Sequence, residues 1–216
     1  MSGLAIEDAV RAAAYFAGGY FLGSIPVAWL IAYMHIGRDI RQMGSGNVGV
    51  LNTALSVHRW AGLVVFIGEL FKGIASVLAA RQLGGGNELL IGVAALGAFT
   101  GTRWPVWLHF RGGRGNTCAA ASLALISPLT VVAMAALWIG IRVVGADNFV
   151  ATRVMLAALP FALGALTWSP WWFAVGAAYS ILFLTTHEAS TDDHMLLKAQ
   201  FPSVWAFLTA PPRHQH

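Results

Sequence analysis

Charge is what this chain lacks most. Only 10% of its 216 residues are Asp, Glu, Lys or Arg, against about 25% in ordinary soluble domains. That shortage argues against a water-soluble domain. In place of charge stand 57% hydrophobic residues and a mean hydropathy of +0.67, the composition of a polytopic helical membrane protein. Acids are scarcer than bases, 9 against 13, so the net charge is +4. In a membrane protein such an excess speaks of topology and anionic ligands rather than nucleic acid. Cys118 is the single cysteine, which excludes an intrachain disulfide. The N-terminus lacks the pattern of a cleavable signal peptide, because Glu7 and Asp8 precede its first base, Arg11. No internal repeat and no soluble second domain are visible, so residues 1–216 read as one integral membrane domain.

Long apolar runs are what the chain has instead. A spanning helix needs about 20 apolar residues. Residues 9–34, 61–80, 89–108 and 117–141 supply four such runs. Residues 150–166 and 171–186 are shorter and predict two helices joined by a turn at Trp168-Ser169-Pro170. Residues 47–60 could add a half-helix lining a polar cavity. The expectation is an all-α bundle of about six to seven transmembrane helices with glycine-rich loops at its cytoplasmic ends. One basic loop carries Arg38 and Arg41; another carries Arg103, Arg111 and Arg114, whereas the connectors at 82–88 and 143–149 hold no Lys or Arg. Counting positive charge places both basic loops in the cytoplasm and the N-terminus outside. Six spans would leave the C-terminus outside as well, and a half-helix would alter that parity.

Both basic loops are also glycine-rich. Gly44-Ser45-Gly46-Asn47-Val48-Gly49 formally matches a dinucleotide fingerprint. No βαβ unit surrounds it, and Glu69, at the place of the ribose-binding acid, lies inside an apolar run, so that reading is rejected. What remains is a turn whose glycines allow a nest of N–H donors, with Ser45, Asn47 and Asn52 adding side-chain donors. The bland alternative is a tight turn between helices. Arg111-Gly112-Gly113-Arg114-Gly115-Asn116-Thr117 leads straight into an apolar helix, a natural anion site. Its alternative is a cytoplasmic anchor explained by topology alone. Glu69 and Lys72 can share a helix face. Each costs about 2.5–3.5 kcal/mol at a bilayer centre, so the pair is either functional or a buried brace. His187 ends the last apolar run, and no histidine spacing indicates a metal.

Gly23-Ser24-Ile25-Pro26, the Gly44–Asn52 loop, Glu69-Leu70-Phe71-Lys72-Gly73 and the Gly101–Thr117 segment occur in an order that resembles the PlsY-type glycerol-3-phosphate acyltransferases. The resemblance covers about residues 20–120, with the hydropathy pattern continuing to about 187. It implies a bacterial inner-membrane enzyme that moves an acyl group from acyl phosphate to the 1-hydroxyl of sn-glycerol 3-phosphate, giving lysophosphatidic acid, with no cofactor or metal. It implies catalytic roles for Ser45 and His187. Substrate binding would fall to Arg41, Gly44, Gly46, Asn47, Gly49, Asn52, Lys72, Arg111, Gly112, Gly113, Arg114, Gly115 and Thr117. Ser45 and Arg114 would hold acyl phosphate; Arg41, Arg111 and His187 would reach the phosphate of the acceptor.

The chain departs from the family pattern in places. Leu51 and Leu55 stand where the family carries Thr and Arg. Thr102 replaces a His, Arg114 a Lys, and Ser190 an Asn, while Asp193 falls near a basic position. Leu55 and Asp193 deprive a dianionic acceptor of compensating charge. They predict weak use of glycerol 3-phosphate. The rival expectations are a changed acceptor or a non-catalytic lipid-binding protein.

Overall fold

The computed structural model describes residues 2–186 and 193–209, and its described residues are helical with no strand. Helix α1 (Ser2–Gly23) and helix α2 (Val27–Ile36) come from the first apolar run. The run breaks because Pro26, at the N-cap of α2, lacks an N–H. A short 3-10 turn (Ile40–Gln42) leads to α3 (Val50–Ser56), the expected half-helix. Next come α4 (Arg59–Leu83) and α5 (Glu88–Arg103), the latter capped by Asn87, whose side chain accepts the N–H groups of Leu89 and Leu90.

The expected single helix over 117–141 is corrected to two, α6 (Asn116–Ile126) and α7 (Pro128–Val143). Ser127 caps α7 by accepting the N–H of Thr130, and Pro128 opens it, where a missing N–H costs nothing. Helices α8 (Asn148–Thr167) and α9 (Pro170–Thr186) form the expected pair, and α10 (Asp193–Gln200) and α11 (Val204–Thr209) follow. Four helical stretches are long and apolar enough to cross a bilayer: Ile6–Ile36, Arg59–Leu83, Glu88–Leu108 and Phe149–Thr167. Helices α6, α7 and α9 are shorter apolar partners.

The α1–α5 seam has almost no side chains in it. A Cβ on Gly19 or Gly23 would lie 2.1 Å from the carbonyl oxygens of Ala94 and Ala98, and one on Gly101 2.1 Å from that of Tyr20. Small residues four apart thus let the two backbones touch, as membrane helices do where apolar burial gives no driving force. The larger core lies around Phe99, Leu163, Trp172 and Tyr179. There the Tyr179 hydroxyl is 2.7 Å from Ser122 Oγ. A smaller cluster of Ile40, Val48, Val65 and Leu108 supports the first glycine loop.

Candidate active site

The first loop is organised from within by Asn52, which is wholly buried on α3. Its Nδ2 donates to the carbonyls of Met43 (3.0 Å) and Asn47 (2.9 Å). Its Oδ1 accepts from the Ser45 N–H at 3.1 Å and from Ser56 Oγ at 3.0 Å. The backbone can wrap this one side chain because Gly44 and Gly46 adopt φ +55 and +74, and a Cβ on Gly44 would lie 2.2 Å from Asn52 Oδ1. Asn52 is therefore committed to the loop, and the expected N–H nest is not formed. The Gly46 and Gly49 N–H groups donate to the carbonyls of Met43 and Asn47. Ser45 Oγ and Asn47 Nδ2 are what the loop presents outward.

Arg41 is likewise occupied. It forms an ion pair with Asp39 (2.6 Å) and donates to the Leu108 carbonyl at 3.1 Å. That clasp joins the two basic loops and holds the Asp39 carboxyl below its ordinary range, chiefly through the hydrogen bond from Arg41. The Arg41 guanidinium, expected to serve a second phosphate, is engaged in the clasp in this structure.

The second loop reverses direction at His109 and Phe110, both left-handed at φ 54 and 60, a conformation uncommon for such residues. Gly112 and Gly113 then donate their N–H groups to the carbonyls of Arg103 and Thr102, each at 3.2 Å. A Cβ on Gly113 would lie 2.1 Å from the Val48 carbonyl oxygen, so the two glycine loops touch through backbone. Arg111 is exposed at the surface. Gly115 N-caps α6 with no side-chain hydrogen bond, leaving the first turn of that helix and Arg114 as the donors of this loop.

Glu69 and Lys72 form a buried ion pair at 2.7 Å. Lys72 Nζ also donates to the carbonyls of Gly23 (3.0 Å) and Ile25 (3.1 Å). With Glu69 and two carbonyls as partners of its ammonium group, Lys72 braces the break between α1 and α2. Thr102 adds a hydrogen bond to the same Gly23 carbonyl at 3.2 Å.

A cavity of about 270 Å³ opens between these elements, lined by Asn47, Val48, Leu51, Glu69, Thr102, Arg114, Gly115, Asn116, Thr117 and Asp193. Asp193, from α10, is the residue whose place the sequence did not reveal. It is buried. Its Oδ1 accepts from Ser45 Oγ, and its Oδ2 accepts from Asn47 Nδ2 at 2.8 Å. Arg114 Nη1 lies 3.9 Å from that second oxygen. Ser45, Asn47 and Arg114 therefore form a cradle for an anion, and a carboxylate of the chain itself sits in it. His187 lies outside the described residues, as does Ser190. Among the described residues no group of three or more His, Cys, Asp or Glu side chains could hold a metal ion.

The sequence model of the glycerol-3-phosphate acyltransferases matches residues 13–195, which include the cradle and Asp193. The chain belongs to the glycerol-3-phosphate acyltransferase family. A glycerol-3-phosphate acyltransferase of Rubrobacter xylanophilus is 38% identical over 144 residues, 67% of this chain and 71% of that one. One of Desulforudis audaxviator is 36% identical over 178 residues, 80% of this chain and 86% of the relative. A crystal structure of PlsY, an integral membrane glycerol 3-phosphate acyltransferase in its glycerol 3-phosphate form, superimposes with a TM-score of 0.70 at 24% identity. It covers 88% of this chain and 93% of that one, so the two share a fold. Within the family frame, the cavity of this member joins both glycine motifs and the Glu69–Lys72 helix in one place.

Proposed function

We propose that this protein transfers an acyl group from acyl phosphate to the 1-hydroxyl of sn-glycerol 3-phosphate, forming lysophosphatidic acid at the cytoplasmic face of a bacterial inner membrane. The observation that carries this reading is the Ser45–Asn47–Arg114 cradle, with the unblocked first turn of α6 beside it, inside a chain of this family. Helix N-termini and arginine forks are suited to phosphate.

Acyl phosphate is an activated donor. The acceptor oxygen attacks the acyl carbon, the bond between that carbon and the bridging phosphate oxygen breaks, and its electron pair leaves on the phosphate. The hydroxyl proton passes to a phosphate oxygen or to His187. No acyl-enzyme is required, so the protein's task is to hold two anions together and to stabilise the developing oxyanion. Ser45 Oγ and Asn47 Nδ2 supply neutral donors, and Arg114 supplies charge.

The test is direct. Purified protein in proteoliposomes receives labelled palmitoyl phosphate with glycerol 3-phosphate, or with a panel of plain and phosphorylated alcohols. Lysophosphatidic acid is the expected product. Acylation of a different alcohol alone would identify a changed acceptor, and no acylated product from any alcohol would overturn the reading. Sidedness is tested at Asn116, which is exposed. An Asn116→Cys variant should react in intact cells only with membrane-permeant thiol reagents; labelling by an impermeant one places the loop outside.

A further inference from the structure

We propose that Asp193 is an internal competitor for the phosphate cradle, so that α10 keeps the site shut until a bound anion expels it. This rests on the cradle being the donor site. The carboxylate takes the single Ser45 hydroxyl proton and an Asn47 amide hydrogen. A phosphate in the same place needs those donors, and two anions sharing them would repel. The Ser45 hydroxyl has one proton, so only one of the two anions can hold it, and charge repulsion adds to that conflict.

The same geometry makes the carboxylate displaceable. Its two oxygens serve Ser45 and Asn47 but leave Arg114 at 3.9 Å, and Arg114 Nη2 is buried with no hydrogen-bond partner among the described residues. A phosphate has a third oxygen to offer and pairs with an arginine fork. It can engage every donor that Asp193 engages and the arginine besides. The segment carrying Asp193 is a pair of short helices, α10 and α11, of eight and six residues. Leu197 and Phe207 are its buried apolar contacts among the described side chains, and Arg59 holds its far end through the Phe207 carbonyl at 3.0 Å. A tethered carboxylate acts at an effective concentration on the order of millimolar. Ambient anions at lower concentration are thereby kept out, whereas a donor anchored by its acyl chain has binding energy to spare for opening.

An equilibrium of this kind weakens every ligand that needs the open state by one common factor. A through-space charge effect instead scales with ligand charge. Dodecyl phosphate and dodecanoate share a chain, differ in charge and bind without turnover. Their affinities are measured for the full-length protein in non-ionic detergent. The expected result is that Asp193→Asn tightens both ligands by the same factor, about tenfold. Leu197→Asp, which unseats α10 while keeping the Asp193 carboxylate, should do the same, and it carries the test alone if Asp193→Asn does not fold. A gain that is larger for the phosphate, or confined to Asp193→Asn when both variants fold, overturns the proposal. So do unchanged affinities, and so does loss of binding in Asp193→Asn, which would make the carboxylate part of the cradle. If the unmodified protein and both variants all fail to bind dodecyl phosphate, the donor-site reading fails first and the competitor with it.

Discussion

The two glycine loops look alike on paper and are built for opposite ends. In the first, the backbone N–H groups of Ser45, Gly46 and Gly49 are engaged inside the loop, and Asn52 is the post around which it is wound. In the second, the glycines press the chain against α5 and Val48, while Arg114 and the first turn of α6 are left facing a cavity. One loop is a frame that holds out two side chains; the other delivers positive charge. A run of glycines does not reveal which of these it is, since both need close backbone approach.

The contrast can be broken by substitution. Asn52→Ala removes the post: the Ser45 N–H and the Ser56 hydroxyl lose this acceptor, and the Met43 and Asn47 carbonyls each lose one of two hydrogen bonds, with a buried group left unsatisfied costing about 1–3 kcal/mol. The summed loss, about 3 kcal/mol or more, should appear in detergent as a large fall in thermal midpoint together with loss of activity. Arg114→Ala should do the reverse. Stability stays near that of the unmodified protein, while acyl-phosphate affinity drops by about 1.5–3 kcal/mol in equilibrium binding, and Arg114→Lys recovers part of it. Unchanged affinity in Arg114→Ala would demote the second loop to a topological anchor. Gly113→Ala probes the seam between the loops. Its Cβ meets the Val48 carbonyl, so about 1–3 kcal/mol of stability should be lost, and the KM for both substrates should rise.

The smallest effect belongs to the Asp39–Arg41 clasp. The folded-state pKa of Asp39 is depressed from 3.8, so its contribution is present above that value and fades as pH falls through the lowered one. The pair is partly exposed, which limits it to about 0.2–1 kcal/mol. Asp39→Asn should therefore lower the thermal midpoint slightly at neutral pH, with the difference shrinking below about pH 4.

Much of the fold was legible because apolar length and turn residues act locally. The α8–α9 pair and the half-helix α3 are where the spacing put them. Hydropathy does not divide 117–141 because it is blind to Pro128, although a serine before a proline is itself a helix-start signal. The four-residue spacing of Gly19 with Gly23 and of Gly97 with Gly101 marks the α1–α5 contact. Family membership was legible from the order of motifs. The engagement of Lys72, Arg41 and Asn52 was not, because it depends on carbonyls brought near by folding. Asp193 lies 148 residues from Ser45, and only the packing of α10 turns an acid that reads as repulsive into a partner of the same donors.

The carbonyl of Gly23 has a consequence for how such a protein diversifies. It accepts from Lys72 and Thr102 and is fixed in place by a seam where α1 and α5 meet as bare backbone. Main-chain atoms are not altered by point mutation, so the support beneath Lys72 and Thr102 should withstand substitution better than the side chains that line the cavity. The seam in turn should tolerate almost nothing larger than alanine, giving a mutational map that is rigid in the apolar interior and permissive at the mouth.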